Sequence, residues 1–335
     1  MTTEELCFVL PVGNELASGG NIYNRELVRA LGALPAPPRI RTLTPAEFRT
    51  SIDHAKPGLY FVDTLNLADA GVLAHKTAEQ HAVLVVHHLP SLEPSISPDD
   101  PAVLRERNAL PLFDRFLVTS PFTADLLARR GFARDRILTV EPGLPAVALG
   151  AASIEPPYRL LLVGNLIPRK GIRDLLFALA TSVEPSDPFT LDIVGRADLD
   201  PLYAETIGRI ITRTPALAER VRWHHTESYD DMGELYRQAS LLVSAASMET
   251  YGMALAEARA HGVPILALDG GYVSRQFDDG VNGRLFTAIA DLAAELLRLV
   301  RDGSSFQALF TSARGTAMPG PSTWARAAQR LLEQL

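Results

Sequence analysis

The chain carries a single cysteine, Cys7, in 335 residues. One thiol excludes an intrachain disulfide and any cysteine-based metal site. Cys7 lies in the apolar run Leu6 to Val12, with no cationic neighbour to stabilise a thiolate, so it reads as a buried small hydrophobe. A net basic charge is also lacking. The formal charge is −7 and the pI is near 5.7, which argues against a generic nucleic-acid-binding surface or a broadly basic membrane-docking face. Long apolar runs are absent as well: none approaches the ~20 residues that span a bilayer. The first apolar run is short and follows Glu4 and Glu5, whereas a secretory leader wants a basic start and a longer core. The expected location is the cytoplasm, with peripheral membrane contact left open.

What is present is a well-stocked core. Apolar residues make up 47% of the chain, and its length suits two domains of ordinary size. The first half alternates short apolar strands with helices. ELCFVLPV is a strand, LASGGN a glycine-rich loop, and IYNRELVRALGAL an amphipathic helix with Ile22, Leu27, Ala30 and Leu31 on one side. LYFVDTL, AVLVVHHL, RFLVTS and ILTVEPG read as further strands, with a helix, FTADLLARRG, after Ser120-Pro121. Unalternating strands separated by helices predict a parallel sheet covered on both faces. The stretch GLPAVALGAASIEPP has linker composition. The alternation then restarts with YRLLLVG, FTLDIVG, RVRWHH, LLVSAA, PILAL and NGRLF as strands. TAIADLAAELLRLVRDG follows as a helix, and STWARAAQRLLEQL as a last helix with a Ser or Thr cap. The expected boundaries are a domain over 1–145, a linker over 146–157, a domain over 158–318 and a C-terminal helix over 319–335 that packs back toward the first domain.

Two strand-to-helix turns of the second half stand out. In LLLVGNLIPRKGIRDLL a strand ends at Gly164, and Arg169 and Lys170 precede a helix that begins near Gly171. Cations at that end oppose the helix dipole by a few tenths to about 1 kcal/mol, a cost that a bound anion reverses. On their own the two residues read as a solvated loop pair. In LLVSAASMETYGMALAEARAHG a strand ends near Ala246, Glu249 lies in the loop, Gly252 opens a helix and Glu257 falls in its second turn among apolar neighbours. Amides at the helix start have no intrahelical partner, and a glycine there lets a ligand approach closely. In a parallel sheet both turns open at the carboxyl ends of the strands, where ligands bind.

With these residues in place, the chain resembles the family-4 retaining glycosyltransferases of GT-B fold. The likeness rests on Glu249 and Glu257, with seven residues between them, in ETYGMALAEARAHGVPI. VGNLIPRKG, DDMGELYRQASLLVSAAS, GGYVSRQFDDGVNGRLF, SGGNIYNREL, VVHHLP and STWARAAQRLL support it. It covers nearly the whole chain and is most specific over 158–286.

The resemblance implies an α/β architecture of two Rossmann-like domains facing a central cleft. It implies transfer of a hexosyl unit from a UDP- or GDP-sugar to a hydroxyl acceptor, whether saccharide, lipid-linked or small molecule, without a metal or other cofactor. Glu257 would accept from the donor ribose and Glu249 from a hydroxyl of the sugar. Tyr251, Gly252 and Met253 would offer amides. Arg169 and Lys170, beside Gly164 and Asn165, would neutralise the departing diphosphate. Gly19 and Gly20 would bring the first domain's backbone close, and His87, ahead of His88, would meet the sugar.

Asn165 departs from the pattern, because many relatives have arginine there; either Arg169 compensates or phosphate binding is weaker. His224 and His225 read as structural or base-proximal. Asp198 and Asp200 form an Asp-x-Asp pair, which before Pro201 reads as a helix-start signal rather than a metal site. A dinucleotide oxidoreductase would need a Gly-x-Gly-x-x-Gly turn that PVGNELASGGN lacks. A GT-B epimerase or phosphorylase, or a non-catalytic nucleotide-sugar-binding relative, is the alternative.

Overall fold

The computed structural model describes residues 5–13, 18–93, 95–144, 154–224, 229–317 and 323–335, with the backbone alone for 229–231. The chain divides into two compact units. One comprises Met1–Leu16, Gly20–Gly143 and Ser322–Leu335; the other comprises Ala17–Gly19 and Leu144–Pro321. Most of the expected linker, residues 146–153, lies outside the described residues, as does His225.

The first unit runs β1 (Leu6–Val9), α1 (Gly19–Gly32), β2 (Ile40–Leu43), α2 (Pro45–Asp53), β3 (Gly58–Asp63), β4 (Gln80–Val86), α3 (Pro101–Ala109), β5 (Arg115–Val118), α4 (Pro121–Arg129) and β6 (Ile137–Thr139). Its six strands are all parallel, in the order β2-β1-β3-β4-β5-β6. Alternate residues feed opposite faces. Cys7, Val9, Tyr60, Val62, Leu84 and Val86 enter one core, and Leu6, Phe8, Phe61, Val83, Val85 and Leu117 the other. Each such side chain, fully buried, is worth about 1.5–3 kcal/mol. Burial, helped by the nearby Glu5 charge, pushes the Cys7 thiol up to about 12, so it packs as a hydrophobe.

Two sequence expectations shift here. Gly19 and Gly20 belong to the first turn of α1 rather than to a loop, and Tyr23, not Ile22, faces the core. The sequence reading also passed over β2, α2 and α3.

The second unit runs β7 (Tyr158–Val163), α5 (Ile172–Ala180), β8 (Phe189–Val194), α6 (Pro201–Arg213), α7 (Pro215–Ala218), β9 (Val221–His224), α8 (Tyr229–Gln238), β10 (Leu241–Ser244), α9 (Met253–Ala260), β11 (Ile265–Leu268), β12 (Gly283–Phe286), α10 (Ile289–Arg301) and α11 (Gly303–Gly315). Its sheet is again parallel, in the order β12-β11-β10-β7-β8-β9. The chain leaves β7 toward β8 on one side and returns to β10 on the other. The crevice between the β7 and β10 ends is therefore the topological switch point, where an α/β sheet binds ligands. In the first unit the same reversal falls between β1 and β3.

The last helix, α12 (Trp324–Gln334), belongs to the first unit. Thr323 caps it, Ala327, Ala328 and Leu331 enter a core with Leu27 and Val140, and Gln334 exchanges hydrogen bonds with Thr139 at 3.0 and 3.2 Å. A side chain on Gly143 would strike the Trp324 backbone nitrogen at 2.2 Å, so only glycine permits this approach. Among the described residues no helix is long and apolar enough to cross a membrane.

Candidate functional site

At the switch point of the second unit two loops meet. β7 ends in Gly164, passes Asn165, makes a single 3-10 turn over Pro168–Lys170, and enters α5 through Gly171. β10 leads through Met248 and Glu249 to Gly252, which opens α9. Gly171 and Gly252 both sit in the left-handed region, with φ of 63° and 85°. A side chain at Gly171 would also strike the Ala245 carbonyl oxygen at 2.1 Å. Neither helix start has a side-chain cap. Elsewhere the chain caps its helices with Thr44, Asp100, Ser120, Asp200, Asp302 and Thr323. The starts of α7 and α10 lack one too, but those of α5 and α9 flank the switch point, and their amides retain the positive end of the helix dipole.

The loops are tied to each other. Ser247 N–H donates to the Arg169 carbonyl at 3.0 Å. Lys170 Nζ pairs with Glu249 Oε1, both side chains being largely buried. Burial pulls Lys170 below the ordinary lysine range; Glu249 opposes this pull and Arg169 adds to it. The Lys170 stem runs across Gly164, whose missing side chain leaves it room.

Glu249 is held from behind by a segment that sequence reasoning gave no role. Its N–H donates to Gly270, and its carbonyl accepts from Tyr272 N–H at 2.8 Å. A side chain at Gly270 or Gly271 would strike the Ser247 or Glu249 carbonyl at 2.2 or 2.3 Å. Gln276, buried, donates from Nε2 to the Tyr251 carbonyl at 2.5 Å, and Tyr272 stacks on Tyr251. Glu257 is 8% exposed, and its carbonyl accepts from both the backbone and ring nitrogens of His261.

Asn165 and the Asp-x-Asp pair belong to a neighbouring corner. Asn165 Oδ1 accepts from Arg196 N–H at 3.2 Å. Asp198 accepts from the Arg196 guanidinium at 2.9 and 2.5 Å, and Asp200 caps α6 through Tyr203 N–H. His224 pairs with the buried Asp192 at 2.8 Å.

In the first unit, His87 follows β4. Its Nε2 lies 2.9 Å from Asn24 Oδ1 and 3.3 Å from Asp63 Oδ2, and the Tyr23 ring meets it edge-on. A side chain on Gly20 would come within 3.0 Å of the imidazole, so that glycine gives clearance to His87. The ring of His88 turns instead to Glu93, 2.7 Å away in its own loop. Asn24 and Asp63 escaped sequence reasoning.

Two parallel α/β units, each with its own switch point, give the chain the GT-B fold. Residues 151–315 match the family of glycosyl transferases group 1. Among curated proteins the chain is similar to a D-inositol 3-phosphate glycosyltransferase of Streptomyces bingchenggensis, at 27% identity over 74% of this chain and 60% of that one. It spans 42–60% of the length of the inositol-phosphate relatives it matches. Among solved structures it is similar to a sucrose-phosphate synthase (tll1590) from Thermosynechococcus elongatus, with TM-score 0.77 and 19% identity over 98% of both chains. It is also similar to Anabaena Alr3699/HepE in complex with UDP and glucose, with TM-score 0.73 and 17% identity over 98% of both chains.

Proposed function

We propose that the protein is a retaining glycosyltransferase that moves a hexosyl unit from a UDP- or GDP-sugar to a hydroxyl acceptor, without a bound metal. The observation that carries this reading is the second unit's switch point. Two glycine-capped helix starts flank a largely buried lysine that is neutralised by a glutamate. Such a site is prepared for an anion with a polar appendage. The match of residues 151–315 to the group 1 family, and a structural relative described with UDP and glucose, agree with it.

In this reading Glu257 accepts from the ribose hydroxyls and Glu249 from a hydroxyl of the sugar. The amides at Tyr251, Gly252 and Met253 bind donor oxygens. Lys170 and Arg169, beside Gly164 and Asn165, stabilise charge as the diphosphate departs. The amides of Gly19 and Gly20 open a further helix start, and His87 serves turnover. The leaving phosphate takes the acceptor proton on the same face, which retains the anomeric configuration.

Metal independence is part of the proposal. Asp198 is engaged by Arg196 and Asp200 by the α6 amide, and Lys170 and Arg169 supply positive charge that a cation would otherwise bring.

The test is a thermal-shift panel of nucleoside diphosphates and their sugars, since a ligand that binds only the native state raises apparent stability. Product analysis follows with and without acceptor, before and after exhaustive chelation. A shift with UDP or GDP, nucleotide release dependent on acceptor, and a rate that survives chelation are expected. No shift with any nucleotide overturns the reading. Release without transfer favours an epimerase, a phosphorylase or a binding relative. Activity lost to chelator and restored by magnesium or manganese overturns the metal-free mechanism.

A further inference from the structure

The network behind His87 has a direction set by chemistry. An ionised carboxylate only accepts hydrogen bonds. Asp63 Oδ2 lies 2.6 Å from the Asn24 side-chain nitrogen, so the Asn24 amide must present its NH2 to Asp63 and its oxygen to His87. His87 Nε2 then faces an amide oxygen at 2.9 Å and a carboxylate oxygen at 3.3 Å, both acceptors. That nitrogen carries the proton, and the lone pair of the neutral ring lies on Nδ1. Asp63 Oδ1 accepts from Leu65 N–H at 2.7 Å, which fixes the carboxylate to the turn that follows β3. Burial pushes the Asp63 carboxyl up, but the His87 charge when the ring is protonated, and the bonds from His87, Leu65 and Asn24, lower it. Asp63 is 1% exposed. A side chain so enclosed does not reach a sugar, so its influence passes through its partners.

We infer that Asp63, with Asn24 as intermediary, is a positioning residue that fixes the tautomer and orientation of His87. The placement has a topological cause. Asp63 ends β3 and Asn24 lies on the helix that follows β1, so the pair occupies the first unit's own switch point, while β4 beside β3 delivers His87. Tyr23 meets the ring edge-on, and Gly20 leaves it room. The inference rests on the proposed function for the role of His87 in turnover, but not for its geometry.

The experiment therefore has two arms. In the first, the side-chain nitrogens of 15N-histidine-labelled protein are recorded by NMR, with His87 assigned from His87→Gln. The wild type is expected to show a pyrrole-type Nε2 and a pyridine-type Nδ1 in the neutral ring, and Asp63→Asn to give a mixture of tautomers. In the second, with the donor found by the nucleotide panel, Asp63→Asn is expected to lower kcat at least tenfold with donor KM within twofold. The double variant with His87→Gln should be no slower than His87→Gln alone, because residues that act as a unit are not additive. Asn24→Ala is measured in the same way and replaces Asp63→Asn if that variant does not fold. An Nδ1–H ring in the wild type overturns the inference. So does an unchanged ring spectrum in the variant, or a double variant whose losses multiply. If the wild type turns over no nucleotide sugar, the functional reading falls and the ring spectrum still decides the role of Asp63.

Discussion

Replacing Glu249 with glutamine isolates the charge at the centre of the second unit's site. Glutamine keeps an oxygen that accepts from Lys170 Nζ but leaves the ammonium without a counter-charge. The two side chains are 17% and 15% exposed. Breaking a fully buried pair costs about 3–5 kcal/mol and an exposed one about 0–1 kcal/mol, so this pair, with about a sixth of each side chain exposed, should cost about 2–3 kcal/mol. At roughly 2–4 °C per kcal/mol for a domain of this size, Glu249→Gln should melt about 4–12 °C below the parent. The loss should also depend on pH. Burial already holds Lys170 below the ordinary lysine value. Between that lowered value and about 10.4 the unfolded chain binds more protons, so stability rises with pH through the window and is lost as pH falls through the folded value. Without Glu249 the window widens.

The same substitution should sharpen affinity for a diphosphate. In the parent an incoming phosphate must take Lys170 from Glu249; in the variant the position is uncontested. If half of the lost stabilisation returns on binding, UDP or GDP should bind about 5–13-fold more tightly even as sugar transfer slows. Calorimetry with the nucleoside diphosphate, beside melting curves with and without it, makes the check. Equal melting temperatures and equal affinities would show that the ion pair is incidental and that Glu249 does not compete for Lys170.

Three further outcomes follow from the geometry. Glu257→Ala should weaken nucleoside diphosphate binding by about 1.5–3 kcal/mol, the worth of a hydrogen bond to a charged group; unchanged affinity by calorimetry would reduce Glu257 to a helix residue. His87→Gln should slow turnover more than His88→Gln, because the His88 ring is committed to Glu93 within its own loop; equal, near-normal rates would refute the difference. Asp187→Asn should cost about 1–2 kcal/mol near pH 7, discounted for the half-exposed Arg301 that grips it at 2.7 and 2.9 Å. Burial raises the Asp187 carboxyl, but Arg301 and the Glu184 amide outweigh this and hold it below its usual range. Its contribution is therefore present above about pH 3.9 and lost as pH falls through the lowered value, so parent and variant denaturation curves should converge in acid.

The alternation of buried strands and amphipathic helices was legible because parallel strands covered on both faces are continuous apolar words. The Gly164–Gly171 and Glu249–Glu257 segments were legible because strand, glycine and helix follow one another within a few residues. The elements passed over had other signals. β2 has two exposed positions of four, and α2 is announced only by Thr44 and Glu47, which form a reciprocal capping box around Pro45. α11 hides behind α10, from which Asp302 separates it by ending one helix and capping the next. The supports of the sites were illegible for a different reason. Asp63 reads as the polar end of an apolar strand, and its partners lie 39 residues before it and 24 after. Nothing in the local sequence brings them together; the order β1-β3-β4 does.

The corner at Asn165 shows how such distances change a reading. In sequence, Asn165 is a departure from a family pattern and Asp198 is half of an Asp-x-Asp pair, thirty-odd residues apart and unrelated. In the sheet β7 and β8 are neighbours, with Val163 opposite Val194, so the two turns that leave them run side by side. Asn165 Oδ1 accepts the Arg196 amide, Leu166 N–H donates to the Arg196 carbonyl at 2.8 Å, and Gly195 fits only because it has no side chain to strike the Gly164 oxygen at 2.0 Å. Asp198 then closes on the Arg196 guanidinium, whose hydrogen bonds hold its carboxyl below the usual range. Arginine at 165 would lose the side-chain oxygen that bonds this turn and would place a second guanidinium beside Arg196. The asparagine and the aspartate are thus two ends of one structural clasp, which leaves Lys170 and Arg169 as the cations of the turn that enters α5.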